Sequence, residues 1–76
     1  MKINAQLEQT EHLTKDEFTA VAIIAATINT RCSTLDKAME WCSNLCGWFV
    51  YRGGHHIAIH LQPNDPRRIL LIAETK

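Results

Sequence analysis

No excess of charge marks this chain: eight Lys and Arg residues balance eight Asp and Glu. Neutrality removes the electrostatic pull that directs basic or acidic domains to nucleic acid, acidic substrates or anionic membranes. Long hydrophobic runs are missing too. The longest, residues 20–26, covers about a third of a membrane span. The opening MKINAQLEQTEH has no continuous apolar segment of the kind a signal peptide needs. Cys32, Cys42 and Cys46 form an odd set, which does not suit a disulfide framework and fits reduced thiols in a reducing compartment. With Met first and no tag, the chain is expected to be a complete cytoplasmic protein. Catalytic spellings such as G-x-S-x-G, H-E-x-x-H or a P-loop are absent, so no enzymatic activity and no cofactor are expected. There is no internal repeat, low-complexity segment or domain boundary. Residues 1–76 are expected to form a single domain, of a size that buries only about 60–65% of its unfolded surface.

What is present centres on residues 48–61, WFVYRGGHHIAIHL. Two aromatic and β-branched runs flank Gly53-Gly54, the short signal for a β-hairpin with a two-residue primed turn. That turn places Tyr51 opposite His56 and Val50 opposite Ile57. Alternation then separates a core face (Trp48, Val50, Ile57, Ile59, Leu61) from an aromatic and imidazole face (Phe49, Tyr51, His56, Ala58, His60).

Around the hairpin, residues 2–8 alternate as a half-buried strand with a wet outer side. Thr14-x-x-Glu17 reads as a capping box, with Leu13 and Phe18 spaced as a hydrophobic staple. The helix it opens, residues 15–31, carries Phe18, Val21, Ala25 and Ile28 on one stripe, widened by its alanines and isoleucines until it needs cover on more than one side. Ser33-x-x-Asp36 signals a second helix over residues 34–46, with Gly47 as its left-handed terminator. Residues 67–74 close the chain as a strand apolar on both faces, which belongs at the centre of a sheet. The order β-α-α-β-β-β predicts a small α+β domain, a mostly antiparallel sheet with two helices packed on one face. The other face then exposes Phe49, Tyr51, Ala58 and part of the last strand.

Cys42 and Cys46, at i and i+4 on a helix and followed by histidines, bring thiolate and imidazole ligands for zinc to mind. Their spacing matches no zinc pattern and they share the helix's apolar stripe, so both are expected to be buried structural thiols without a metal. Arg52, Arg67 and Arg68 beside the aromatics suggest a nucleic-acid platform, but neutral charge leaves little phosphate neutralisation. The stronger expectation is a protein-interaction module, an adaptor or inhibitor, binding through Phe49, Tyr51, Arg52, His56 and His60. Surplus apolar surface on so short a chain also predicts a homodimer.

Overall fold

Thr14 opens the first helix as the sequence expects. Its hydroxyl accepts the Glu17 amide at 3.2 Å while the Glu17 carboxylate accepts the Thr14 amide at 2.9 Å, so two orphan donors are satisfied reciprocally. In the computed structural model, which describes residues 2–75, this helix is α1, Lys15–Arg31. The second helix, α2, is Leu35–Cys42, capped by Thr34 rather than Ser33. It ends before the expected residue 46. The Ser43 hydroxyl turns back to the Glu40 carbonyl, and the amides of Asn44 and Leu45 bond three residues back, to Trp41 and Cys42. These tighter bonds lead the chain out of the α path. Gly47 does adopt the left-handed region, at φ +83, but in the connection to the hairpin and not at the helix end.

The strands β1 (Lys2–Leu7), β2 (Phe49–Arg52), β3 (His56–His60) and β4 (Arg68–Thr75) form one antiparallel sheet, ordered β1-β4-β3-β2. The doubly apolar β4 sits at its centre, as its composition requires. Both helices pack on one face, giving the small α+β domain expected from the element order. Val21, Ile24, Ala25 and Ile28 of α1, with Leu35, Ala38 and Cys42 of α2, meet Ala5, Ile57, Ile59, Leu70 and Ile72 in the core. An extra residue in β4, at the irregularity opposite Ile59 and His60, also buries Ile69.

Three expectations are corrected. First, α1 is covered on one side only: Phe18 stays 43% exposed and Ile23 61% exposed. The helix lies over the β1 side of the sheet while α2 packs over β3 and β4, so neither the sheet nor α2 covers the outer surface of α1. Thr19, Thr27 and Thr30 on that surface turn their hydroxyls back to the carbonyls of Lys15, Ile23 and Ala26, spending their hydrogen-bonding capacity on the helix itself. Second, Cys46 lies beyond α2 and is exposed, whereas Cys42 is buried. Third, the hairpin register differs by two residues: Tyr51 opposes Ala58 and Val50 opposes Ile59. The Gly53 amide donates to the His56 carbonyl at 2.8 Å, so Gly54 and His55 form the turn. Neither Gly53 nor Gly54 has a positive φ. At Gly53 the His56 ring instead lies over the space a Cβ would take, so a larger residue there would displace that ring. A slip of two residues preserves both hairpin faces, since the side-chain period is also two.

Candidate functional site

The sheet face away from the helices follows from the register, because directly opposed residues share a face. Across its middle run Gln6, Leu71, Ala58 and Tyr51. Asn4, Ala73 and His56 lie on one side of this row, and Arg68, His60 and Phe49 on the other. No element packs over it among the described residues. Phe49 and Tyr51 are accordingly 39% and 46% exposed, and Leu71 and Ala73 are half-buried. Ala58, expected to be exposed, is only 7% accessible: its short side chain lies between the larger Tyr51 and Leu71.

Tyr51 is held in place rather than left free. Its ring meets His60 edge-on, with centroids 5.1 Å apart and planes at 87°, a favourable aromatic geometry. Its hydroxyl lies 3.5 Å from the Pro63 carbonyl. His60 Nδ1 is 3.0 Å from the Asp65 carbonyl. A carbonyl only accepts, so Nδ1 carries the proton and, in the neutral ring, Nε2 keeps its lone pair. Asp65 is fixed in turn by Arg67, whose Nε and Nη2 donate to its carboxylate at 2.9 and 2.6 Å and whose amide donates at 3.0 Å. These bonds to the Arg67 guanidinium and amide hold the Asp65 carboxyl well below the usual carboxylate range. Tyr51, His60, Pro63, Asn64, Asp65 and Pro66 thereby surround a shallow depression of about 350 Å³.

The structure thus brings Phe49, Tyr51, His56 and His60 onto one face. His56 lies at the turn end, its ring over Gly53, and is not the cross-strand partner of Tyr51. Arg52 does not join them. It opposes Ile57 on the helix side and reaches Asp36 of α2 at 3.2 Å. Arg67 is held by Asp65 in the loop before β4, and Arg68 by Glu8 at the end of the sheet. The three arginines form no stripe, and each guanidinium already meets a carboxylate. Leu71, Ala73, Asn4 and Gln6 belong to the face but were not singled out from the sequence. The signal for Leu71 and Ala73 was the doubly apolar run of β4, and for Asn4 and Gln6 the wet outer side of residues 2–8.

Among the described residues, no group of three or more His, Cys, Asp or Glu side chains is arranged to hold a metal ion. Burial, with a smaller contribution from neighbouring Cys32, pushes the Cys42 thiol up to about 11. A thiol so reluctant to ionise is a poor nucleophile and a poor metal ligand. No described helix is long and apolar enough to cross a membrane. Comparison of the chain with protein-family models, curated proteins and solved structures finds no match.

Proposed function

We propose that this chain is a non-catalytic protein-interaction module, cytoplasmic and dimeric, that docks another protein on the open face of its sheet and modulates it as an adaptor or inhibitor. One observation carries the reading: half of a four-stranded sheet's surface is uncovered, and its exposed centre is aromatic and aliphatic. Tyr and Phe are enriched in the cores of protein interfaces, where charged groups are depleted. The one arginine on this face is occupied by Glu8, and the Asn4 and Gln6 amides supply a polar rim. Tyr51 is already ordered by His60, so docking against it costs little side-chain entropy. The partner this chemistry fits is an apolar, weakly charged protein surface. Nucleic-acid binding through Arg52, Arg67 and Arg68 gains no support from their separate, carboxylate-paired positions.

Capture by the immobilised chain tests the reading. A bound protein should resist high salt and be lost with Tyr51→Ala, a change that should weaken binding by about 2 kcal/mol, or roughly 30-fold. It should persist with Ile23→Ser on the outer surface of α1. Equal capture by the Tyr51 variant, or retention of nucleic acid that collapses with salt, overturns it.

A further inference from the structure

A sheet edge is a pairing template unless something blocks it, and the two edges of this sheet are treated differently. At β1, the Asn29 side chain accepts the Ala5 amide at 2.7 Å and donates to the Ala5 carbonyl at 3.0 Å. Asn29 of α1 thus blocks the middle of that edge. At β2 there is no counterpart. The Gly53 amide bonds the His56 carbonyl, so Gly53 and His56 are a hydrogen-bonded pair. Alternation along an antiparallel ladder makes Tyr51 with Ala58, and Phe49 with His60, hydrogen-bonded pairs as well. Trp48, Val50 and Arg52 therefore turn their backbone groups away from the sheet. Among the described residues those groups have no side-chain partner and no backbone partner outside the strands.

We infer that the outer edge of β2 pairs antiparallel with the same edge of a second copy, about a two-fold axis through Val50. This rests on the reading above that the chain acts as a dimer, and it states how the dimer is built. An axis perpendicular to the sheet keeps the helices of both copies on one side, so residues that oppose each other must share a face. Centred on Val50, the outward groups match reciprocally: Val50 meets the partner's Val50, and Trp48 meets the partner's Arg52. No like charges oppose each other, and each guanidinium arrives beside an indole on the helix side, a favourable cation–π arrangement. Phe49 faces the partner's Tyr51 on the open side, at a non-hydrogen-bonded pair, where side chains approach most closely. The two large apolar side chains that the sheet leaves exposed thus cover one another. An axis through Tyr51 would instead set Tyr51 against the partner's Tyr51 and Phe49 against the partner's Gly53, leaving Phe49 uncovered. The pairing joins the two sheets into one and brings both aromatic clusters to the middle of a continuous open face.

Sedimentation equilibrium of the full chain at micromolar concentration should give the dimer mass. Val50→Pro removes an outward N–H and leaves the β2–β3 ladder intact, a place where an edge strand tolerates proline. It should give a monomer with an unchanged circular dichroism spectrum. Cross-linking supplies the register even if that variant fails to fold. With Cys46 replaced by Ser, Phe49→Cys and Tyr51→Cys chains should form an intermolecular disulfide under mild oxidation when mixed, and neither should do so alone. A monomeric native chain, a folded Val50→Pro variant that stays dimeric, or a disulfide in the Tyr51→Cys chain alone overturns the proposal. A monomer that still loses a captured protein on Tyr51→Ala overturns the pairing while leaving the partner-binding face standing, so the two failures are distinct.

Discussion

Asn29 on α1 takes both free backbone groups of Ala5 on β1, its carboxamide acting as a strand of one residue. The contact ties the first strand to the first helix, 24 residues away in sequence. Replacing Asn29 by Ala leaves an amide and a carbonyl beside the core without partners. The expected cost is about 1–3 kcal/mol, read as a lower urea midpoint with unchanged slope. Because the β1 edge is also unblocked, the variant should show larger particles in light scattering than the native chain. Equal stability and equal size would mean that water serves Ala5 as well as Asn29 does.

Thiol reactivity separates the three cysteines. Cys46 is exposed while Cys32 and Cys42 are buried, so a thiol reagent should label Cys46 rapidly in the native chain and the other two only on unfolding. Cys42 also makes stability depend on pH. Its thiol ionises near 11 in the folded chain against 9.0 ordinarily, so folding favours the protonated form. The associated stability is complete below pH 9 and is lost as pH rises toward 11. At about 1.4 kcal/mol per pH unit, the loss is on the order of 2–3 kcal/mol. The difference between native chain and Cys42→Ala in urea titrations at pH 8 and pH 11 should shrink accordingly.

His12, in the connection between β1 and α1, has both ring nitrogens shut off from solvent without a hydrogen-bond partner among the described residues. Such atoms lose their hydration and gain nothing in exchange. His12→Leu should therefore raise stability by about 1 kcal/mol, seen as a higher melting temperature. A loss of similar size would show that the imidazole holds a bound water that the fold uses.

The two faces of β2 and β3 should respond differently to truncation. Ile59 is wholly buried under the helices, and Ile59→Ala should cost about 3–4 kcal/mol. Tyr51 is 46% exposed and packs on His60 alone among aromatic rings, so Tyr51→Ala should cost about 1 kcal/mol. Chemical denaturation of both variants checks this. Comparable losses would make the aromatic face part of the core.

Local chemistry fixed much of this protein before any tertiary contact. The capping box at Thr14 and Glu17, the period of residues 2–8 and the doubly apolar run of β4 each depend on neighbours in sequence, so element types, the central strand and the two hairpin faces could be read directly. Even the mistaken turn left those faces intact, because a register error of two residues conserves side-chain parity. What the fold alone decided depends on distance in space. The end of α2 at Cys42 set Cys46 outside the core. The β2–β3 register, closed by the Gly53 amide on the His56 carbonyl, set which residues form the turn. The strand order placed Leu71 and Ala73 beside Tyr51, sent Arg52 to the helix side to meet Asp36, and brought Arg68 to Glu8. No local pattern encodes such pairings, because the partners join segments whose separation in the chain carries no information about their approach. The same holds for the two edges: Asn29 reads as an ordinary helix residue until the fold sets it against Ala5, leaving β2 as the open edge.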